Sequence, residues 1–458
     1  MKVLFATAEL TPLVSVGGLA YATAGLAKAL HRAGVEVTVV IPDYGIYEAA
    51  LGQPEPLDMP PWVGVTSYRR GTTGDGVPLI AVTTPEIKRP HPYDDPDGRG
   101  WRDNDYRFMA FSAAIAELAR RLAPDVLHLN DWHTAATLGL GNGLPPAVFT
   151  IHNLAYQGTA YASWLDVLVH RPEAYEWFGT MNPMSGAIAL AHVVVTVSPN
   201  YAEEIRRPGH GAGLHEPLTA RGDALVGIRN GIDTDVWSPQ VDPHLPAPFS
   251  ADNLDGKGQA RRALLDRVGW DGERSPLVAM VTRLTWQKGV DLAFELVPYL
   301  EGIPARMVIL GSGDRSLAEA AHRLSAAHPD RLAFLEAFDE AVAHLIFGGA
   351  DLLLMPSRFE PCGLAQMQAM SYGTIPVVTD VGGLHDTVID ADHHPGTGTG
   401  FVATAAEPVA MLDALHRAVR AWKPTPRRRH IQRRGMTIDW SWTEPAAQQV
   451  ELYEQIAR

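Results

Sequence analysis

Short runs of Val, Ile and Leu alternate with longer stretches of helical periodicity along most of this chain. Continuous apolar runs, as opposed to alternating ones, are what a parallel sheet covered on both faces requires. The pattern predicts a first set of strands at 2–7, 36–41, 125–129, 147–151 and 193–197. A second set follows at 276–282, 305–310, 332–335, 351–355 and 375–379. Helical spacing at 18–33, 106–122, 292–300, 341–347 and 364–372 lies between them. The expected fold class is α/β: two doubly wound domains with right-handed crossovers, facing a central cleft.

The expected domains are 1–237, 238–437 and a C-terminal segment, 438–458, that returns to the first domain as a helix over 445–457. Residues 238–256 carry Pro239, Pro243, Pro246 and Pro248 and read as a surface connection at the boundary. Residues 53–102 are rich in Pro and Asp with weak periodicity, and read as an elaboration of the first domain, a small hairpin with loops.

Composition narrows the function. The 458 residues are 46% apolar, ordinary for a globular protein, and fit two to three domains at roughly 100–200 residues each. A net charge of −14 argues against a nucleic-acid partner, which needs Lys and Arg to neutralise phosphates. The basic stretch from Arg427 to Arg434 is the local exception and reads as a solvated helix face. No apolar run reaches the ~18–20 residues that span a bilayer, and the opening apolar stretch is too short for a signal peptide. One cysteine permits no internal disulfide and fits a reducing, cytoplasmic location. Nothing in the sequence fixes an oligomeric state.

In doubly wound sheets ligands bind beyond the carboxyl ends of the strands, so the chemistry belongs to the strand-end loops. The first loop runs from Ala8 and Glu9 through Ser15 to Gly17 and Gly18, where a long helix should begin. Free amides and the helix dipole there favour an anion, and glycine allows its close approach; a tight structural turn gives the same pattern. The loop after 276–282 reads Arg283-Leu284-Thr285-Trp286-Gln287-Lys288-Gly289 and offers two cations for a diphosphate, or an exposed salt-bridging pair. After 351–355, Glu360 stands on a Pro-flanked turn ahead of Cys362, Gly363, Leu364 and Gln366. That carboxylate can hydrogen-bond sugar hydroxyls or stabilise positive charge; an N-cap role is the alternative. Gly382 and Gly383 repeat the strand, Gly-Gly, helix theme and suit a second part of a diphosphate. Asp131 and His133 follow one strand, and His152 with Asn153 follows the next, which is suitable equipment for holding a sugar.

Other features carry less. Asp233 with Asp235 lacks further ligands for a metal, Asp95-Pro96-Asp97-Gly98 lacks the later glutamate of a calcium loop, and His393-His394 has no cysteine partners. Cys362, near a helix start, is a candidate reactive thiol.

In combination and in order these motifs resemble the bacterial glycogen synthase and starch synthase family. The resemblance covers nearly the whole chain and rests on Gly17-Gly18-Leu19, Asp131-Trp132-His133, Thr150 to Gly158, Val197-Ser198-Pro199-Asn200-Tyr201-Ala202, Asn230-Gly231-Ile232-Asp233, Arg283 to Gly289 and Arg358 to Gln366. It implies a GT-B fold of two Rossmann-like domains, the first on the acceptor side. It implies ADP-glucose as the usual donor, an α-glucan acceptor, transfer with retention into an α-1,4 linkage, and no metal or other cofactor. By position, Arg283 and Lys288 would neutralise the diphosphate, Glu360 would contact the transferred glucose, and His152 and Asp131 would orient it. Glu9, Ser15, Gly17, Gly18, Asn230, Cys362, Gly363, Leu364, Gln366, Gly382 and Gly383 would complete the donor site. Ser15 stands where the family usually has lysine, and 181–186 lacks a lysine often found there. Two alternatives are a related retaining transferase making a small glucoside or maltosyl phosphate, and a non-catalytic glucan- or nucleotide-binding homologue. Gln368, where many of those related transferases carry a second glutamate, favours the synthase.

Overall fold

A computed structural model describes residues 1–46, 50–271, 275–337, 339–423 and 426–457. The chain divides into two compact units, Met1–Gly231 with Trp442–Arg458, and Ile232–Ser441.

The first unit is built on one nine-stranded sheet, in the order Leu225–Gly227, Val193–Thr196, Ala147–Ile151, Val126–Asn130, Lys2–Ala6, Glu36–Pro42, Pro78–Thr83, Thr66–Thr72, Glu55–Leu57. All pairings are parallel except those of Thr66–Thr72 with its two neighbours. The central strand shows why its sequence is apolar throughout. Leu4 and Ala6 enter a core with Phe108, Phe111 and Ile115 of helix Asn104–Leu122, while Val3 and Phe5 enter another with Ala22, Leu26 and Leu30 of helix Gly18–Arg32. The segment 53–102 extends this sheet: Pro78–Thr83 pairs in parallel with Glu36–Pro42, then forms a hairpin with Thr66–Thr72.

The last helix, Thr443–Ile456, packs within the first unit, as expected. Trp442, Ala446 and Tyr453 join the core that holds Phe5 and Leu26. Gly25 makes room for the Trp442 indole, since a Cβ there would lie 2.0 Å from its Nε1. Tyr453 also hydrogen-bonds Nδ1 of buried His128, whose Nε2 meets Thr150 Oγ1 at 2.7 Å.

The second unit has six parallel strands, ordered Leu332–Glu336, Arg306–Gly311, Leu277–Val281, Leu352–Met355, Ile375–Thr379, Phe401–Ala403. Counted from the first strand of the unit this is 3-2-1-4-5-6, a Rossmann order, and the direction of winding reverses between Leu277–Val281 and Leu352–Met355. In the first sheet the reversal lies between Lys2–Ala6 and Val126–Asn130.

Two expectations about 238–256 change. The first unit ends at Gly231 instead of 237, and the second runs to Ser441 instead of 437. Trp237 belongs to the second unit because it stacks on His344, centroids 3.9 Å apart, and Ile232 N–H donates to Trp440 O at 2.8 Å. Nor is the proline-rich stretch a free surface linker. Leu245 and Phe249 are buried, and Asp242 accepts hydrogen bonds from His344 and the Tyr372 hydroxyl. The chain then enters helix Asp255–Arg267, where buried Lys257 donates to the carbonyls of Phe347, Gly348 and Tyr372 and to Thr374 Oγ1. The basic stretch is likewise more than a solvated face: Arg427 pairs with Asp392, and Arg434 donates to the carbonyls of Pro395, Gly396 and Gly398.

Candidate active site

Both clusters of candidate residues sit at the winding reversals of their sheets, where diverging loops leave an opening for a ligand. In the second unit the loop after Leu277–Val281 carries Arg283 and Lys288, and the loop after Leu352–Met355 carries Glu360. Lys288 Nζ lies 2.6 Å from Glu360 Oε2, which also accepts from Ser357 Oγ at 3.0 Å. Glu360 is 4% exposed, so its charge is sheltered and paired. It caps no helix; helix Ala365–Ser371 starts after Leu364 with no side-chain cap. Arg283 is exposed, and among the described residues its guanidinium has no hydrogen bond or ion pair.

A strap of bonds fixes this geometry. Arg358 holds Asp291 with two parallel bonds, 2.7 and 2.6 Å, and donates to Trp286 O at 2.8 Å. Its backbone N–H reaches Gln287 O, while the Gln287 side chain donates to Phe359 O. Gly289, at φ +63°, lies so near Pro356 O that a Cβ would come within 2.0 Å. The two loops are therefore tied together, with Lys288 held against Glu360.

Gly382 and Gly383 have a packing task that their pattern did not signal. A Cβ on Gly382 would lie 2.0 Å from Glu360 O, and one on Gly383 would lie 2.2 Å from Cys362 O. The Gly383 N–H donates to Glu360 O at 3.0 Å. These glycines admit the backbone of the Glu360 loop. Gln366 is a buried staple: its Nε2 donates to the carbonyls of Cys362 and Gly363 and to Thr387 Oγ1. Gly363 sits at φ +73°, and a Cβ there would come 2.4 Å from Oε1 of that amide, so both conformation and space call for glycine. Leu364 is half-buried at the helix start. Cys362 is 4% exposed, too sheltered for the accessible thiol its position suggested.

In the first unit the loop after Lys2–Ala6 carries Glu9. Val16 and Gly17 N–H donate to its Oε2 at 2.7 and 3.0 Å, so a carboxylate of the chain already occupies part of the anion site at the helix start. Gly18 is left exposed, with nothing within 4 Å of a Cβ position. Ser15 Oγ is buried, and among the described residues it has no hydrogen-bond partner. Asp131 follows Val126–Asn130 at φ +54°, and its Oδ1 accepts from His152 N at 2.7 Å and Asn153 N at 3.4 Å. Burial, with the Glu9 charge adding to it and the two amides opposing, raises the Asp131 pKa to about 7. His152 donates Nε2–H to Asn130 Oδ1 at 2.9 Å, and burial lowers its pKa, so it acts as a neutral hydrogen-bonding group. Asn230 follows the edge strand Leu225–Gly227, and its N–H donates to Val197 O at 3.3 Å.

Sequence reasoning missed Tyr93. Its hydroxyl donates to Glu9 Oε1 at 2.7 Å, and its ring stacks on His133 with centroids 4.9 Å apart. Buried Arg107 holds the segment leading to it by donating to the carbonyls of Glu86, Ile87 and Pro92. Nothing in the aperiodic 53–102 stretch signals this. Ser357, one position ahead of the Arg358 to Gln366 motif, carries no sequence signal for its bond to Glu360 either. Among the described residues no group of His, Cys, Asp and Glu is arranged to hold a metal ion.

Comparison with known proteins follows the same division. Residues 2–220 match the family described as the starch synthase catalytic domain, and residues 267–435 match glycosyl transferases group 1. The chain is 39% identical to the glycogen synthase of Aromatoleum aromaticum, covering 99% of this chain and 96% of that one. It is also 39% identical to that of Thioalkalivibrio sulfidiphilus, over the whole of both chains. Among solved structures it is similar to the catalytic domain of starch synthase IV from Arabidopsis thaliana bound to ADP and acarbose. The TM-score is 0.90 at 33% identity, covering 100% of this chain and 99% of that one. A sucrose-phosphate synthase from Thermosynechococcus elongatus, at TM-score 0.63 and 17% identity over 99% of this chain and 98% of that one, shares the fold.

Proposed function

The chain belongs to the glycogen and starch synthase family, glycosyltransferases of GT-B fold, and from that premise we propose that it elongates an α-1,4-glucan. Glucose passes from a nucleoside diphosphate donor, ADP-glucose before others, to the non-reducing end with its α configuration retained. The observation that carries this reading is the pair of Lys288 with buried Glu360 at the reversal of the second sheet, with Arg283, unpaired among the described residues, in the same loop as Lys288.

The chemistry follows from charge. As the bond to the sugar breaks, negative charge grows on the diphosphate and positive charge on the glucosyl ring. An ammonium has three donors, so Lys288 can keep Glu360 while reaching a phosphate oxygen. Arg283 offers a planar fork for two more. Fixed charges in a sheltered site stabilise the separated state without rearranging, which usually supplies the largest part of such catalysis. Glu360 is poised to stabilise the positive ring or to accept from its hydroxyls. In the first unit, Asp131 presets the His152 loop, and neutral His152, whose Nε2–H is held by Asn130, offers Nδ1 as an acceptor to a sugar hydroxyl. The ADP and acarbose bound to the starch synthase IV relative support a nucleotide and a glucan-like ligand here. No metal is assigned a role, so transfer is expected to persist in a chelator, and the cytoplasm is the expected site of action.

Radiolabelled glucose offered as ADP-, UDP- and GDP-glucose with glycogen tests the reading. Label in polymer, most from ADP-glucose, is the expected result; label confined to a small product, or none transferred, refutes it. Glu360→Ala should abolish transfer while leaving the fold intact, and near-normal rates would remove Glu360 from the active site.

A further inference from the structure

Two donors of the second unit converge on a single oxygen of Glu360. Lys288 Nζ and Ser357 Oγ both bond its Oε2, at 2.6 and 3.0 Å. Among the described residues Oε1 makes no hydrogen bond, so one edge of the carboxylate is fixed and the other is open. The Ser357 hydroxyl caps no helix and, among the described residues, bonds nothing but this carboxylate.

The two donors differ in what holds them. Lys288 carries its charge on a long flexible stem with three donors, free to divide itself between partners. Ser357 has a short side chain on backbone that is pinned on both sides. Its carbonyl accepts from Thr379 Oγ1 at 2.6 Å, at the end of strand Ile375–Thr379. The next residue, Arg358, donates its N–H to Gln287 O at 2.9 Å and grips Asp291 with both terminal nitrogens. Ser357 is 1% exposed and Thr379 is wholly buried, so water does not compete for either hydroxyl. One donor is mobile and charged; the other is neutral and fixed to the sheet.

That difference matters as the bond to the sugar breaks. Negative charge then grows on the diphosphate and competes with Glu360 for the Lys288 ammonium. A sheltered carboxylate whose cation is drawn away is costly to keep in place unless another donor stays with it. We infer that Ser357 is a positioning residue for the transfer step: it holds Glu360 Oε2 while Lys288 turns its charge to the departing diphosphate, so that Oε1 stays presented to the glucosyl ring. This rests on the glucosyl-transfer reading above. The competition is greatest when the leaving charge is fully developed, so the contribution of Ser357 falls on kcat and not on donor binding. A hydrogen bond to a charged group is worth about ten- to a hundredfold in rate.

The test is Ser357→Ala, alone and combined with Glu360→Gln, with Thr379→Val as a milder variant that frees the Ser357 backbone but keeps its hydroxyl. Steady-state transfer to glycogen should show kcat lowered about ten- to a hundredfold in Ser357→Ala, with the donor KM unchanged. Thr379→Val should show a smaller loss of the same kind. In the Glu360→Gln background, adding Ser357→Ala should lower kcat no further, because the charged acceptor is already gone. Wild-type kcat in Ser357→Ala overturns the role, as does a raised donor KM with kcat intact. An equal loss in both backgrounds overturns it too, by making Ser357 a purely structural residue. Crystals soaked with ADP give a readout that needs no turnover. In the wild type the Ser357–Glu360 bond should persist beside ADP, and in Ser357→Ala the carboxylate should follow Lys288; a bond broken by ADP in the wild type overturns the proposal. Failure of the activity looks different. A wild type that transfers no glucose sinks the glucan reading, while the ADP-bound crystal still decides whether Ser357 holds the carboxylate.

Discussion

Replacing Gly383 by alanine perturbs the site without touching any of its charged groups. The added Cβ would lie 2.2 Å from Cys362 O and 2.5 Å from Cys362 Cα, both backbone atoms that cannot swing aside. Few real Cβ contacts are closer than 3.4 Å, so relief requires about 1.2 Å of movement between the Gly383 helix and the loop from Glu360 to Cys362. Overpacking of this kind costs about 1–3 kcal/mol. A misplacement of about 1 Å at a reacting centre costs about a hundredfold in rate, so kcat should fall about that much while the protein still folds. The assay is steady-state transfer to glycogen, with thermal unfolding as the control for folding. Gly18→Ala is the comparison, since its Cβ would meet nothing within 4 Å. It should leave stability intact and raise only the donor KM, if the donor approaches there. Wild-type kcat in Gly383→Ala would refute the argument that these glycines position Glu360.

Asp131→Asn keeps the acceptor for His152 and Asn153 and removes the titration. A carboxyl whose pKa is about 7 folded and 3.8 ordinarily contributes stability that is present below 3.8 and lost as pH rises through 7. Urea unfolding of the wild type should therefore weaken across that window by up to about 4 kcal/mol relative to the variant; parallel pH profiles would disprove it. Tyr453→Phe leaves buried His128 Nδ1 without a partner and should cost the first unit about 1–3 kcal/mol, read by chemical denaturation. Lys257→Met strips a donor from three carbonyls and a hydroxyl and should destabilise the second unit by about 2–4 kcal/mol, with transfer kinetics near normal at low temperature.

Most strands of the two sheets were legible because a sheet covered on both faces leaves few polar positions: Val3, Leu4, Phe5 and Ala6 are all buried, on alternate sides, while the three-residue strands Leu225–Gly227 and Phe401–Ala403 are too short to show a pattern. Once the strands are placed, their terminal loops follow, and with them Glu9, Asp131, His152, Arg283, Lys288 and Glu360. Less legible was what each loop residue does. A glycine admitting a phosphate and a glycine admitting a carbonyl look the same in sequence, so the packing of Gly382 and Gly383 on the Glu360 loop was hidden. Glu9 was read as part of a donor site, but nothing in the sequence signalled that its Oε2 accepts from the amides of Val16 and Gly17. Proline made 238–256 look like a free connection, while Trp237, Leu245 and Phe249, which anchor it, are too irregularly spaced to form a pattern. Tyr93 reaches Glu9 across 84 positions, a distance no local signal spans.

The order of the chain also bears on how it is made. Thr443–Ile456 completes the first unit, but a ribosome delivers it only after the whole second unit, roughly 200 residues later, or about 10–40 s at ~5–20 residues per second. Until then the apolar side of Gly18–Arg32 that receives Trp442 and Tyr453 stays uncovered, and His128 waits for its hydroxyl partner. A nascent chain stalled before residue 442 should therefore be sticky, protease-sensitive and dependent on chaperones, however well its second half has folded.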